Sequence, residues 1–271
     1  MAQDGRWKDH PLRKVLFLVI IAWIILAIIF GIYDLQISIA VADSNNPFGI
    51  FGADYGEIPG FVIIAIGIVV LIGSASSNLN QQKVGALLFI LISGSLVAIG
   101  FVLNNEKLAL IGGSVVLAMS IFTILTYKKD WKNYRTLALV IILLTIILPV
   151  LFVNITKPLC GRVRFRDLIL PDYAGFTPWF LPPGPDFNNL SFPSGHTAMG
   201  WMFLPLMISL RDKKISVKIL GGFLILGWGS FVGISRIIIG AHYASDVLFS
   251  TGVAFVVIIL LYKKFYLKGD V

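Results

Sequence analysis

Apolar residues run along this chain in long unbroken blocks, and polar residues gather in short stretches between them. Blocks of roughly 18 or more apolar residues have the length of a membrane-crossing helix. They extend from Leu12 to Tyr33, Ile58 to Gly73, Val84 to Leu103, Leu108 to Tyr127, Thr136 to Val153, Thr197 to Leu210, Ile219 to Ser235 and Tyr243 to Tyr262. The second and sixth are short for a complete span. The pattern predicts an all-α integral membrane protein, a multi-span helical bundle of about eight hydrophobic segments. The first block is longer than the roughly 7–15 apolar residues of a signal peptide, so it reads as a retained span although "AVADS" at 40–44 resembles a cleavage site.

Composition agrees. Of 271 residues, 57% are hydrophobic and only 13% are charged, about half the charge of a soluble domain. A net charge of +8 suits a nucleic-acid surface, but its distribution does not. Basic residues cluster at Arg6–Lys14, Lys128–Arg135, Arg211–Lys218 and Lys263–Lys268. With a cytoplasmic N-terminus, all four clusters fall on the inner side, as the positive-inside rule requires. The charge therefore describes topology: a bilayer partner and no nucleic acid. His10 lies in the inner tail as a solvated side chain. The single cysteine, Cys160, leaves no intramolecular disulfide and no cysteine cluster for zinc. Nothing in the pattern selects an oligomeric state.

One outer segment breaks the charge rule. "TKPLCGRVRFRDL" carries Lys157, Arg162, Arg164 and Arg166 where basic residues are least expected. Anionic headgroups would attract such residues, but arginine and lysine together also suit a phosphate ligand. Arg162 and Arg166 are possible additional ligands, with Asp167 placed to pair with one of them. Between Phe165 and Pro193, prolines alternate with aromatic residues. That composition opposes a long helix and suits the membrane interface, as an anchor or as the rim of a lipid site.

Two histidines flank later blocks. His196 lies in "SFPSGHTAMG", at the mouth of the sixth. His242 precedes Asp246 by four residues, so on a helix the two share a face and the carboxylate can orient the imidazole. No carboxylate lies within one turn of His196 in the sequence. The topology sets His196, His242, Asp246, Arg236, Lys157 and Arg164 at one membrane face. That constellation points to phosphate chemistry.

The residues resemble a family. K-x6-R at Lys157–Arg164, PSGH at Pro193–His196 and SR-x5-H-x3-D at Ser235–Asp246 are similar to the three signature motifs of the type 2 phosphatidic acid phosphatases. Their wider superfamily includes vanadium haloperoxidases, glucose-6-phosphatase and lipid A phosphatases. Phe165 stands where the first motif usually has proline. The family's usual core has six spans, three of them before the first motif, whereas five blocks precede it here. The chain accordingly divides into residues 1–135, a transmembrane region of unassigned role, and residues 136–271, a catalytic transmembrane domain.

The resemblance implies an enzyme: a lipid phosphate phosphatase working through a phosphohistidine, without metal or other cofactor. His242 is then the nucleophile, Asp246 its orienting carboxylate and His196 the general acid. Lys157, Arg164, Arg236, Ser194 and Gly195 bind the phosphate. The expected substrate is a membrane lipid: phosphatidic acid, phosphatidylglycerol phosphate or a polyprenyl pyrophosphate. The expected place is the cell membrane, with both termini cytoplasmic and the site extracytoplasmic. A phosphatase or phosphotransferase for a small soluble ester is the alternative within the same chemistry. A transporter or silent lipid-binding protein is the alternative outside it, but the spans carry almost no ionisable residues near their midpoints, where a transport path has them.

Overall fold

The computed structural model describes residues 11–267. His10, Arg6, Lys8 and Lys268 lie outside the described residues. The described residues form a helical bundle with no strand, and seven helical stretches are long and apolar enough to cross a membrane.

Helix α1 (Pro11–Val41) is apolar around most of its circumference. Phe17, Leu18, Ile21, Ile24, Ile28 and Ile32 stay exposed, as a lipid-facing surface requires. Helix α2 (Pro47–Tyr55) starts at Asn46, whose side chain accepts the amides of Phe48 and Gly49, a standard N-cap strengthened by proline at the first position. Helix α3 (Ile58–Gly73) follows after only Gly56 and Glu57, both helical in backbone. Together they make one stretch, Pro47–Gly73, longer than the block expected at Ile58–Gly73. Helices α4 (Leu79–Val102) and α5 (Glu106–Thr126) form a hairpin. Their backbones meet closely: a Cβ on Gly100 would lie 2.6 Å from the Ala109 amide nitrogen, and one on Gly112 would lie 2.7 Å from the Ser93 carbonyl.

The fifth crossing joins α6 (Arg135–Thr145), a π-helical segment (Ile146–Val153) and α7 (Asn154–Cys160). Pro149 sits inside the π segment. It has no amide to donate, so the ladder widens there rather than continuing as α-helix. Gly161 ends α7 at φ 57°, a left-handed position that favours glycine.

The sixth block, Thr197–Leu210, is no continuous span. It breaks into α8 (Gly195–Gly200), a 3-10 turn (Trp201–Phe203) and α9 (Leu206–Leu210). Pro205 interrupts the helical ladder. Ala198, Met202 and Leu204 are buried against other helices, so protein rather than lipid surrounds the break. The eight expected segments are therefore seven long helical stretches and this short, broken eighth. Helices α10 (Ile215–Ile238) and α11 (Ala244–Tyr266) complete the chain.

Leu144, Leu148, Ala198, Met202 and Ala254 centre the main core, which joins α6, the π segment, α8 and α11. Helix α1 lies along α11, where Trp23 sits against Gly252. Helix α2 lies along α10, and α3 packs on α6 and α8. The α4–α5 hairpin packs on α3 through a second cluster around Val69, Met119 and Trp131. Helices from both halves of the sequence thus build one bundle.

Candidate active site

One end of the bundle gathers the start of α3, the end of α7, the start of α8, the end of α10 and the start of α11. At the end of α7, the chain turns at Gly161 and runs extended through Arg164. This lays Lys157, Arg162 and Arg164 along one strip. Ser194 caps α8, its hydroxyl oxygen accepting from the Thr197 amide at 3.3 Å and the Thr197 hydroxyl at 2.8 Å. Its own proton is left to donate. The Ser194 amide donates to the Asp246 carbonyl at 3.1 Å, and Ser250 donates to the Ser194 carbonyl at 2.8 Å. The Pro-Ser-Gly-His turn is therefore fastened to α11. A Cβ on Gly195 would lie 3.7 Å from the Lys157 ammonium, so the turn and the first cation are neighbours.

Between α10 and α11, Gly240 at φ 65° makes a sharp corner. The Arg236 carbonyl accepts the amides of Ala241 and His242 at 3.1 and 3.2 Å. Backbone alone thus presents His242 beside Arg236. The His242 imidazole is buried, with Nδ1 3.5 Å from Asp246 Oδ2, an ion-pair separation rather than a formed hydrogen bond. Burial pushes this imidazole down to about 4; the Asp246 carboxylate pulls it up, and Lys157 and Arg236 push it further down. It is neutral at pH 7.

Asp246 is anchored from other directions. It accepts from Arg162 Nη1 at 2.6 Å, the Ser191 hydroxyl at 2.5 Å and the Tyr243 amide at 2.9 Å. Arg162 in turn pairs with Asp34 at 2.9 Å, donates to Ser245 and to the Thr177 carbonyl, and stacks 4.0 Å over the Tyr243 ring. Its donors are engaged and it is 1% exposed. Arg162 is therefore an internal strut and no ligand for an incoming phosphate. Asp34 comes from α1 and also accepts from the Ser245 amide and hydroxyl. Arg166 is half exposed, with Asp167 3.8 Å away.

His196 has a carboxylate after all. Its Nδ1 lies 3.1 Å from Glu57 Oε1, and its Nε2 lies 3.2 Å from the Ala53 carbonyl. The expectation that His196 has no acidic neighbour holds along the sequence and fails in space, because the α2–α3 junction folds over α8. Burial, then the charges of Arg236, His242 and Lys107, push the His196 imidazole down to about 2, against a pull upward from the Ala53 carbonyl.

The remaining cations converge. Arg164, Arg236, Glu57 and Asp246 all lie within electrostatic reach of Lys157. Arg164 Nε and Arg236 Nε and Nη1 are buried without a hydrogen-bond partner. Buried polar atoms are nearly always satisfied, so a cluster of unpaired donors marks a place built for an anion. Lys157, Arg164, Ser194, Gly195, His196, Arg236, His242 and Asp246 all come to this end of the bundle. Sequence reasoning missed Asp34 and Glu57. A lone carboxylate in an apolar block was the available signal for Asp34; Glu57 gave none beyond its place at the head of the second block.

A family model, the PAP2 superfamily, matches residues 138–270. Over this stretch the chain is similar to the PAP2 superfamily. PAP2 proteins are phosphatases acting on phosphoric esters, and this chain is such an enzyme. The PAP2 stretch contains all three motifs; Asp34 and Glu57, which reach into the same site, lie outside it. No curated protein and no solved structure matches the chain.

Proposed function

We propose that the enzyme hydrolyses the phosphomonoester or pyrophosphate of a membrane lipid through a phosphohistidine on His242. The observation that carries this reading is the cluster of unpaired buried donors on Arg164 and Arg236 beside Lys157 and His242. Phosphate oxygens would satisfy these donors and neutralise the cations. The Ser194 hydroxyl and the Gly195 amide add two more donors at the start of α8.

His242 suits the nucleophile because its Nδ1 side faces Asp246, a carboxylate held in place by Arg162, Ser191 and the Tyr243 amide. Its other nitrogen attacks phosphorus. The bond from phosphorus to the leaving oxygen breaks, and the proton on His196 passes to that oxygen. Asp246 stabilises the imidazolium side of the phosphohistidine. In the second half, His196 takes a proton from water as the water oxygen attacks phosphorus, the phosphorus–nitrogen bond breaks and phosphate leaves. Lys157, Arg164 and Arg236 hold the charge that grows on the phosphoryl oxygens in both halves. Side chains supply this positive charge, and the scheme needs no metal.

A lipid is the favoured substrate for a positional reason. Beside the site, an apolar groove of about 510 Å³ runs between α1 and α11 under Trp179, lined by Trp23, Ala27, Phe249 and Val256 among others. Phe249 also meets Phe192, the residue before the Pro-Ser-Gly-His turn. Phosphatidic acid, phosphatidylglycerol phosphate and polyprenyl pyrophosphate all fit a phosphate held at the site with a chain in the bilayer. The basic clusters at the opposite end support cytoplasmic termini and an extracytoplasmic site in a cell membrane.

The test is phosphate release by purified protein in detergent, with EDTA present, from these three lipids and a soluble sugar phosphate. We expect turnover of at least one lipid phosphate, and a loss of about 10³-fold or more in His242→Ala. Unchanged turnover in that variant would overturn the mechanism. Preference for the sugar phosphate would overturn the lipid assignment.

A further inference from the structure

We propose that Glu57 is the positioning carboxylate of His196, and that Lys107 ties it to the α4–α5 hairpin. This rests on the reading of His196 as the general acid. Glu57 Oε1 faces His196 Nδ1 at 3.1 Å and Glu57 Oε2 faces Lys107 Nζ at 3.0 Å. Glu57 precedes α3, yet its side chain makes no capping hydrogen bond. Both oxygens are committed to these two partners.

The placement is fixed by close backbone packing on either side. A Cβ on Gly60 would lie 2.6 Å from the Met199 carbonyl of α8, and one on Gly56 would lie 3.1 Å from Val232 of α10. The α2–α3 junction is thus pressed onto the helix that carries His196 and the helix that carries Arg236. On its other edge the ring meets the Ala53 carbonyl at 3.2 Å. An imidazole between a carboxylate and a carbonyl has an acceptor for a proton on each nitrogen, and a bound phosphate dianion offsets the neighbouring cations, so the doubly protonated ring forms with substrate in place. That is the form a general acid needs before the leaving oxygen departs. Arg236, His242 and Lys107 oppose it by charge, Lys157 stands near the same turn, and Glu57 is the carboxylate in direct contact. The Nε2 proton exchanges the Ala53 carbonyl for the alkoxide and is replaced from water, while Nδ1 keeps Glu57.

The chemistry thereby acquires two histidine–carboxylate pairs with different tasks. Asp246 is fully buried and held by Arg162, Ser191 and Tyr243, whereas Glu57 is 16% exposed and shares itself with a half-exposed lysine. The first arrangement keeps a nucleophile's ring fixed. The second sets a partly solvated carboxylate, shared with a lysine, beside a ring that gains and loses a proton.

The experiment is pre-steady-state release of the leaving group from an alkyl phosphate and from a nitrophenyl phosphate, across pH. Wild type, Glu57→Gln, Glu57→Asp, Lys107→Met and His196→Ala are compared. A nitrophenolate leaves without a proton and an alkoxide does not. Glu57→Gln is expected to slow alkyl release about 10- to 100-fold, within the range of general acid catalysis. The basic limb of its pH profile should move to lower pH, while nitrophenyl release changes less than about threefold. Glu57→Asp should restore part of the alkyl rate, and Lys107→Met should move the basic limb to higher pH. Equal slowing of both esters with an unmoved limb would overturn the proposal and leave Glu57 a packing residue. If His196→Ala itself slows both esters equally, the acid reading of His196 fails. If His196→Ala is selective and Glu57→Gln is not, this proposal alone fails.

Discussion

Asp246 accepts hydrogen bonds from Arg162, Ser191 and the Tyr243 amide while His242 stands off at 3.5 Å. In the proposed mechanism it orients the imidazole from that distance and stabilises the positive charge the ring acquires. Removing Arg162 would leave Asp34 and Asp246 buried, close and unneutralised. Breaking a buried pair by deleting one partner costs roughly 3–5 kcal/mol. Arg162→Met should therefore lower thermal stability in detergent sharply and abolish phosphate release. Arg162→Lys should rescue little, because a single ammonium cannot reproduce the guanidinium fork. The neutral state of His242 has its own consequence. Its folded value of about 4 lies below the ordinary 6.5 of an unfolded chain, so protons favour the unfolded form as pH falls. Its contribution to stability is complete above about pH 6.5 and is lost progressively down to about pH 4. A thermal unfolding series over that interval checks the sign, and His242→Gln should flatten this part of the curve. These pairings mark the limit of sequence reading. His242 and Asp246 are four apart and legible as a pair; His196 and Glu57, and Arg162 and Asp34, are joined only by tertiary packing.

The long apolar blocks specify most helices directly, because a bilayer demands internally bonded backbone over each crossing. Where protein replaces lipid, that demand relaxes and the pattern misleads. The Thr197–Leu210 block reads as a span by composition, yet Pro205 and burial against neighbouring helices allow it to break into α8 and α9. The break keeps α8 short, so its start can be held by Asp246 and Ser250. Junctions depend on glycine for the same kind of closeness. Alanine at Gly60 would place a methyl 2.6 Å from the Met199 carbonyl, which backbone can relieve only by moving α3 away from α8. Gly60→Ala should cost about 1–3 kcal/mol and slow alkyl ester turnover by displacing Glu57; thermal unfolding and the leaving-group comparison measure the two effects. Gly94, with open space around its would-be side chain, is the matched control, and Gly94→Ala should leave both unchanged.

At the scale of the molecule, the motifs and their common end of the bundle were legible from chain order and the alternation of basic clusters. The contribution of the preceding helices was not. They contain none of the signature residues, yet α1 supplies Asp34 to Arg162 and the α2–α3 junction supplies Glu57 to His196. A shortened chain of residues 136–271 should therefore release no phosphate even if it inserts. Co-expression with residues 1–135 should restore activity in proportion to complex recovered.

Asp34 and Arg162 also bear on how the protein comes to be made. Helix α1 is made early in synthesis with a carboxylate in its C-terminal part, and Ser245 and Asp246 at the head of α11 are translated much later. Until α11 arrives, neither Asp34 nor Arg162 has its full set of partners. The first and last crossings, which lie along one another, thus close the bundle like a clasp. A ribosome that stops short of α11 leaves behind an open assembly in which Asp34 and Arg162 hold each other but lack Ser245 and Asp246.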